Sequence, residues 1–481
     1  MAEMLTLAID QGTHATRALI FDGYGRMVAN ARRPVSLQSR SRAEVEQLPD
    51  EILASLRVVV ADILQHPGID AARIGSAGLA TQRSSVLAWD RRTGRALSPV
   101  LSWQDTRTAA ELVALGRHEA AIRERTGLRL SPHYGAGKLQ WLLQHEAAVA
   151  AARTQDTLAI GPLASFLLHH LSDAKGGMVD HANASRTLLW NLESRDWDPW
   201  LLGLFDIPRE VLPACLPIVA DYGLTRNGRI PLTAVNGDQT AALYAQGMPA
   251  RDTLVVNTGT GAFALLPTGD HRRSHPGLLS GLSRSDVGTA DYYLEGTVNG
   301  AAAALDWVAS QYRIADWPVM APGWLDEVEA PPVFLNSIGG LGAPWWQPGP
   351  DPVFLPDSGS MQIGPAEAMV AAVESIVFLL QANVELLREL HPAVKNIRIS
   401  GGLAPLDGLC RRLANLSGLT VERSPAIEST ARGIAWLAAG CPGTWESSAV
   451  ERRFLPRNDP RLRERYAHFR DVLETTLRQA S

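Results

Sequence analysis

The chain of 481 residues is too long for one ordinary hydrophobic core, and a typical size of roughly 150 residues per domain predicts two to four domains. Hydrophobic residues make up 46% and charged residues 20%, which is typical of a globular protein and excludes a disordered or fibrous chain. The net charge of −5 argues against a nucleic-acid or anionic-membrane partner. The cysteines at 215, 410 and 441 are far apart, which argues against a disulfide framework or a cysteine zinc site.

The N-terminal residues run directly into an apolar stretch at 5–9, without the basic segment and cleavage site of a secretory signal. We therefore expect a cytoplasmic location. The most apolar long stretch, 366–390, contains charged residues such as Glu374 and Arg388. Its apolar positions recur at helical spacing, which predicts an amphipathic helix packed on a core rather than a membrane span.

Two β-hairpins with the same layout are predicted, roughly 250 residues apart. In the first, strands at 5–9 and 17–22 flank a Gly/Thr turn, and in the second, strands at 253–257 and 262–266 do so. A helix at 50–64 and a buried strand at 74–81 continue an alternation that favours the α/β class. We expect two similar halves, residues 1–247 and 248–481, with a ligand cleft between them.

The turn of the first hairpin contains residues that suit a phosphate group. Backbone amides around Gly12 and Thr13 can hold phosphate oxygens, and Asp10 can reach a phosphate-bound Mg²⁺. An ordinary Asp/Gly hairpin turn accounts for the same residues. The motif alone does not decide between these interpretations.

The second turn matches a dinucleotide fingerprint in its letters, Gly259-x-Gly261-x-x-Ala264. That fingerprint requires a helix after the glycines, whereas residues 262–266 are predicted to form a strand. A dehydrogenase is therefore disfavoured. A second phosphate-holding turn is the better interpretation.

Asp238 follows a strand predicted at 230–235 and precedes a helix predicted at 240–245. A carboxylate at a strand end can face a cleft and take a proton from an attacking hydroxyl. The alternative is a helix N-cap, which the position alone favours.

Two further sets of residues have two interpretations each, and Lys138 has one. Arg83 and Trp103 suit a polyhydroxylated ligand, but they also fit a surface ion pair beside a packed tryptophan. Gly401 and Gly402 permit the close approach of a flat ring such as adenine, or they form a simple turn. Lys138 does not belong to a P-loop, because its segment leads into a packed helix, so a structural role is expected.

These motifs, in this order, resemble the FGGY family of carbohydrate kinases, and its glycerol kinase branch in particular. The matching segments cover nearly the whole chain and include 10–13, 82–83, 103–107, 183–187, 237–239, 258–261 and 401–402. The resemblance implies an α/β fold with two actin/hexokinase-like (ribonuclease H-type) domains flanking an active-site cleft. It also implies ATP- and Mg²⁺-dependent phosphorylation of a hydroxyl of a small polyol or sugar.

The resemblance also implies roles for individual residues. Asp238 corresponds to the general base and Asp10 to the residue that positions Mg²⁺. The implied substrate contacts are Arg83, Ser84, Trp103, His133, Asp238, Gln239 and Phe263. The implied nucleotide contacts are Gly12, Thr13, His14, Arg17, Thr260, Gly261, Gly401, Gly402 and Asp407.

The chain departs from the glycerol kinase pattern at four of these positions. Ser84 stands where a glycerol-binding Glu is usual, and His133 where a Tyr is usual. His14 replaces a Thr of the phosphate loop, and Asp407 replaces an adenine-contacting Asn. The shorter Ser84 leaves room for a longer substrate, so glycerol competes with larger polyols and ketoses such as erythritol or xylulose.

A non-catalytic sugar or nucleotide sensor with the same fold is the alternative from another class. The presence of both Asp10 and Asp238 argues against it. The expected partner is a small molecule, with neither nucleic acid nor membrane. The oligomeric state stays open, with a homodimer and a homotetramer among the alternatives.

Overall fold

Strands and helices alternate along the chain, as the sequence predicts. The computed structural model describes residues 4–174, 176–355, 363–424, 428–445 and 450–480. Three short 3₁₀ helices, Ala71–Arg73, Gly116–His118 and Arg209–Val211, lie between the longer elements of the first half.

The first half of the chain contains fourteen strands and nine α-helices among the described residues. Its strands are β1 (Leu5–Gln11), β2 (Ala15–Phe21), β3 (Met27–Pro34), β4 (Gln38–Ser39), β5 (Val45–Gln47), β6 (Ile74–Thr81), β7 (Val86–Asp90), β8 (Val100–Leu101), β9 (Leu158–Pro162), β10 (Met178–Asp180), β11 (Trp190–Asn191), β12 (Asp196–Trp197), β13 (Ala214–Leu216) and β14 (Leu232–Gly237). Its helices are α1 (Pro49–Leu64), α2 (Ala109–Val113), α3 (Glu119–Thr126), α4 (Gly135–His145), α5 (Ala147–Thr154), α6 (Leu163–Leu171), α7 (His181–Ser185), α8 (Pro199–Leu204) and α9 (Asp238–Ala242).

The second half contains nine strands and six α-helices within the described ranges. The strands are β15 (Thr253–Thr258), β16 (Ala262–Gly269), β17 (Leu279–Ser285), β18 (Ala290–Val298), β19 (Val333–Leu335), β20 (Val353–Leu355), β21 (Asn396–Gly401), β22 (Thr420–Arg423) and β23 (Arg452–Phe454). The helices are α10 (Ala302–Tyr312), α11 (Trp317–Glu327), α12 (Pro365–Leu390), α13 (Asp407–Ser417), α14 (Ser429–Ala438) and α15 (Pro460–Ala480).

One five-stranded sheet and the seven-stranded sheet share a core of five strands with the same topology. The first has the order β14-β6-β1-β2-β3, and the second has the order β17-β18-β16-β15-β21-β22-β23. In the first, β1 pairs antiparallel with β2 and parallel with β6, and β14 extends the parallel side. In the second, β15 pairs antiparallel with β16 and parallel with β21, and β22 extends the parallel side. This shared order confirms the internal repeat that the two hairpins predict.

Helices pack on both faces of the first sheet, in which β1 is the middle strand. All seven residues of β1 are buried. Since side chains alternate between faces, Leu7 and Ile9 pack with Ile52 of α1 in one core. Ala8 packs in the other core with Ile434 of α14. A helix from the second half of the sequence thus covers one face of the first sheet.

Helix α12 is the core helix that the sequence predicts at 366–390. Pro365 occupies its first turn, where a missing N–H costs nothing. By length and composition it is the one described helix that could cross a membrane, but 89% of its apolar window is buried inside the structure. It packs against α10, α13 and β18 and forms the centre of the second core.

The carboxyl ends of the parallel strands bring the predicted site residues together. In the first sheet, the residues just after β1, β6 and β14 meet at one edge, and they include Gly12, Arg83 and Asp238. In the second sheet, β15 and β21 end at Thr258 and Gly401. Ligands of open α/β sheets bind beyond such strand ends, so the topology places a site there.

Candidate active site

Asp238 is the first residue of α9, directly after β14. The N-cap position belongs to Gly237, so Asp238 is not the helix cap. Its Oδ1 accepts a hydrogen bond of 2.7 Å from the amide of Gln239 and lies 3.7 Å from Nε of Arg83. Its side chain keeps 33% of its surface exposed. Burial raises the pKa of Asp238, although the charge of Arg83 and the Gln239 hydrogen bond oppose this.

Arg83 joins the two halves of the molecule. Its buried guanidinium donates from Nη1 to the hydroxyl of Tyr293 at 3.0 Å, and from Nη2 to Oε1 of Gln239. The same Nη2 lies 3.8 Å from Oε2 of Glu295. One arginine after β6 thus contacts residues of both α9 and β18.

Strand β18 supplies residues of the second half to this site. Phe263 on β16 lies opposite Thr297, and Leu265 lies opposite Glu295. Because side chains alternate along a strand, Tyr293, Glu295 and Thr297 share a face with Phe263. Phe263 is half-buried and packs on the core of the first half.

Arg186 forms a second buried ion pair with Glu295. Its Nη2 lies 3.2 Å from Oε1 of Glu295, and its guanidinium lies 5.5 Å from the ring centre of Tyr134. Burial raises the pKa of Glu295, but Arg186 and Arg83 outweigh it and bring that pKa below its usual value. Burial lowers the pKa of Arg186, but Glu295 more than compensates. Both members of the pair are therefore charged at neutral pH.

Lys138 connects three loops that carry predicted substrate contacts. Its buried Nζ donates to the carbonyl oxygens of Ser84 at 3.0 Å, Ser102 at 2.8 Å and His133 at 2.8 Å. Ser84 has a positive φ of 63°, a strained backbone conformation for a serine. The structural role that the sequence predicts for Lys138 is thus to fix the backbone around this pocket.

His133 and Trp103 form one wall of the same region. Their rings make an edge contact at 5.6 Å between centroids, and His133 contacts Tyr134 at 5.0 Å. Burial, together with the charges of Lys138 and Arg186, lowers the pKa of His133 well below its ordinary value. His133 is therefore a neutral imidazole at neutral pH.

Asp10 and Arg17 form an ion pair inside the first hairpin. Nη1 of Arg17 lies 3.2 Å from Oδ2 of Asp10 and 3.1 Å from Oε2 of Glu428. Burial raises the pKa of Asp10 to about 7, with Asp238 and Glu428 adding to the rise and Arg17 opposing it. Arg17 thus contacts carboxylates from both halves.

The two predicted phosphate turns are both closed hairpins. The amide of Gly12 donates to the carbonyl of Ala15 at 2.9 Å, and that of Gly259 to the carbonyl of Gly261 at 2.7 Å. Thr13 is held by two hydrogen bonds. Its carbonyl oxygen accepts one from Nε2 of Gln47 at 2.8 Å, and its hydroxyl oxygen accepts the other from Nε1 of Trp103 at 3.0 Å. His14 and Thr260 lie exposed at the tips of these turns.

Gly401 and Asp407 lie at the carboxyl end of β21 and the start of α13. Gly401 has a φ of +95°, and an added Cβ would overlap the carbonyl oxygen of Thr258 on β15. Gly402 is exposed beside it. Asp407 binds Arg423 at 2.8 Å and also Arg452.

The structure adds residues that the sequence analysis did not assign to the site. They are Tyr134, Arg186, Tyr293 and Glu295, together with Lys138, which binds the carbonyl of Ser84. Arg186 belongs to the 183–187 segment that carries the family resemblance, so a signal for it existed. Tyr293 and Glu295 lie in an ordinary strand, and only the register of β18 shows their place.

Comparisons with known proteins identify the family. The N-terminal domain of the FGGY family of carbohydrate kinases matches residues 5–243, and the C-terminal domain matches residues 254–440. The chain belongs to the FGGY family of carbohydrate kinases. A glycerol kinase of Allorhizobium ampelinum is 34% identical over 98% of this chain and 98% of its own. A glycerol kinase of Cereibacter sphaeroides is 35% identical over 95% and 96% of the two chains.

Solved structures of this family have the same fold. Plasmodium falciparum glycerol kinase with ADP has a TM-score of 0.88 at 24% identity and covers 99% of this chain and 98% of its own. A xylulose kinase from Lactobacillus acidophilus has a TM-score of 0.83 at 18% identity, with coverages of 99% and 97%. The mixed α/β fold that the sequence predicts is confirmed.

Family membership confirms the predicted class of reaction. This FGGY kinase is a phosphotransferase that phosphorylates a polyol or sugar and uses ATP. Among the described residues, no group of three or more His, Cys, Asp or Glu side chains could hold a metal ion by itself. A metal held by phosphates and a single carboxylate does not require such a group.

Proposed function

We propose that Asp238 of this FGGY kinase is the general base for transfer of the γ-phosphate of ATP to a substrate hydroxyl. Its Oδ1 is held by the Gln239 amide and Arg83, so Oδ2 is the oxygen that takes the proton. The hydroxyl oxygen bonds to the γ-phosphorus, the bond to the β–γ bridging oxygen breaks, and ADP leaves. The observation that carries this proposal is the partly exposed carboxylate of Asp238 beside the buried Arg83.

The substrate lies among Arg83, Ser84, Trp103, His133, Gln239 and Phe263. Arg83 and Gln239 supply polar atoms next to Asp238. Trp103 and Phe263 supply apolar surface for the C–H groups of a polyol. This division of roles orients one hydroxyl toward the base.

The nucleotide lies between the two hairpin turns. We assign its phosphates to Gly12, Thr13, His14 and Arg17 on one side and to Thr260 and Gly261 on the other, with Gly401, Gly402 and Asp407 near the adenosine. The absence of a side chain at Gly401 supports this, because the ends of β15 and β21 approach closely there. The exposed tips of both turns support it as well.

Asp10 fits a Mg²⁺ ion that accompanies the nucleotide. It supplies a hard carboxylate oxygen at the carboxyl end of β1, beside Asp238. Mg²⁺ neutralises charge on the phosphates when it is bound. Arg17 holds Asp10 in place through its 3.2 Å ion pair.

The residue at position 84 supports a choice among the possible substrates. The curated relatives are glycerol kinases, and solved structures with the same fold include xylulose and gluconate kinases. Since Ser84 is smaller than a Glu, we favour a polyol or sugar longer than glycerol.

The family domains at 5–243 and 254–440 support a division of the chain at residue 248. The acidic net charge argues against a nucleic-acid partner.

ADP release with Mg·ATP tests this function across glycerol, erythritol, pentitols and ketoses. Asp238→Asn should lower kcat by about 10²- to 10⁴-fold, because it removes the proton acceptor at nearly constant size. Asp270→Asn is the matched control, since Asp270 is exposed and its side chain pairs only at the surface. Unchanged turnover in Asp238→Asn would assign the proton transfer to another group.

A further inference from the structure

Arg186 has hydrogen-bond donors that the protein does not use. The residue is only 4% exposed, and its Nη2 pairs with Glu295. Its Nε and Nη1 have no hydrogen-bond partner among the residues that the structure describes. A buried guanidinium with unused donors is costly, so these atoms are suited to a ligand that brings acceptor oxygens.

Ser84 has an unused hydroxyl in the same region. Its Oγ is buried and has no partner within the described parts of the chain. Lys138 ties the carbonyl of Ser84 to that of His133, and the His133 ring contacts Tyr134. The Tyr134 ring in turn faces the guanidinium of Arg186. The unused Ser84 hydroxyl and the unused Arg186 donors are therefore connected by one short chain of contacts within the site.

The charge of this region of the site favours an anionic group on the ligand. Arg83 and Arg186 are both buried, and both pair with the single carboxylate of Glu295. Asp238 faces Arg83 and is reserved for the reacting hydroxyl. A charge-assisted bond from arginine to a carboxylate is stronger than a bond to a neutral hydroxyl. An uncharged Ser84 leaves such a carboxylate unopposed, whereas a Glu at this position would repel it.

We propose that the substrate is a polyhydroxy acid of four or five carbons, whose carboxylate binds Arg186 and Ser84 while a hydroxyl at its other end reaches Asp238. Arg83 contacts Asp238 and also Glu295, which is the partner of Arg186, so it connects the residues proposed for the two ends of the substrate. This inference rests on the proposed function, because it names the substrate class of the same site. A neutral polyol that fills the same donors with hydroxyls is the competing outcome.

Matched pairs of substrates separate the two outcomes. ADP release with Mg·ATP is measured for erythritol against erythronate, and for ribitol and xylitol against ribonate and xylonate. We expect kcat/KM to be at least about tenfold higher for the acid of a pair. Turnover of the polyols without this preference overturns the inference and leaves the proposed function intact. No turnover of either member of any pair also overturns it, and glycerol and the ketoses then decide the proposed function.

A pair of variants tests the charge argument directly. Ser84→Glu adds a carboxylate to this region of the site, and Ser84→Gln adds the same bulk without charge, under the same backbone strain. We expect kcat/KM for the acid to be about tenfold lower in Ser84→Glu than in Ser84→Gln, with little difference between them for the polyol. Equal losses in both variants would overturn the role of charge. Arg186 itself is retained, because its removal leaves Glu295 charged and buried without its closest partner.

Calorimetry gives a readout that does not depend on turnover. Erythronate should bind the nucleotide-free protein, and its Kd should rise about tenfold in Ser84→Glu relative to Ser84→Gln. Erythritol, titrated into the protein under the same conditions, is the neutral control. Equal affinity for erythronate and erythritol would contradict the proposal.

Discussion

The ammonium nitrogen of Lys138 lies 3.0 Å from the carbonyl oxygen of Ser84, and it also binds the carbonyls of Ser102 and His133. A neutral amine has only two N–H donors, so three donated bonds require the charged form. Burial lowers the pKa of Lys138 to about 7, with Asp105 opposing this. The side chain therefore fixes three loops of the site with a charge that is sensitive to pH.

Lys138→Met keeps most of the volume of the side chain and removes all three donors. Carbonyls left without a donor cost about 1–3 kcal/mol each, partly offset because a buried charge is also removed. We expect a rise in substrate KM that exceeds the fall in kcat, together with a lower Tm. In the wild type, KM should also rise above pH about 7, as the ammonium loses its proton, and this rise should be absent in Lys138→Met. A pH-dependent KM in the variant would contradict the assignment to Lys138.

The raised pKa of Asp10, about 7, predicts an acid limb in the pH profile. Mg²⁺ requires the carboxylate form, and that form is lost as the pH falls through about 7. We expect the Mg²⁺ concentration for half-maximal activity to rise by up to about tenfold for each pH unit below that pKa. Mg²⁺ titrations at several pH values measure it. Asp10→Asn should weaken Mg²⁺ binding at every pH and flatten this dependence, and a profile equal to that of the wild type would contradict the role of Asp10.

Glu428 forms an ion pair with Arg17, a residue that we propose binds a phosphate of the nucleotide. The carboxylate lies 3.1 Å from Nη1 of Arg17, and both side chains are partly exposed. Exposed pairs contribute about 0.2–1 kcal/mol, so Glu428→Gln should lower the KM for ATP by up to about fivefold. The effect should be larger at low ionic strength, because salt screens the pair. An ATP KM that is unchanged at low salt would show that Arg17 does not contact the nucleotide.

Gly401→Ala should destabilise the end of β21. The residue has a φ of +95°, and its Cβ would overlap the carbonyl oxygen of Thr258. We expect a loss of about 1–3 kcal/mol in the free energy of unfolding and a higher KM for ATP. Gly402→Ala is the matched comparison for stability, because the nearest atom to its Cβ is 3.9 Å away. Equal Tm values for the two variants would contradict this account.

Several local elements were predictable because short-range patterns encode them. The strand at 74–81 is observed with the same bounds, and α1 begins one residue before its predicted start. The predicted helix at 240–245 is wrong in its bounds, since α9 runs over Asp238–Ala242. Asp238 therefore lies inside the helix rather than before it. Strand and helix ends depend on tertiary hydrogen bonds, which a periodic pattern does not contain.

The sequence by itself determined the α/β class and the repeated hairpins, because hydrophobic periodicity and turn chemistry are local properties of the chain. It also carried the series of motifs through which the chain resembles its family. It placed Asp10, Arg83 and Asp238 at strand ends, where the topology brings them together. Only the tertiary structure decided that Glu295 pairs with both Arg83 and Arg186, since these residues are more than a hundred positions apart. The physical reason is that the register of β18, set by its pairing with β16, selects which side chains face the first half of the molecule.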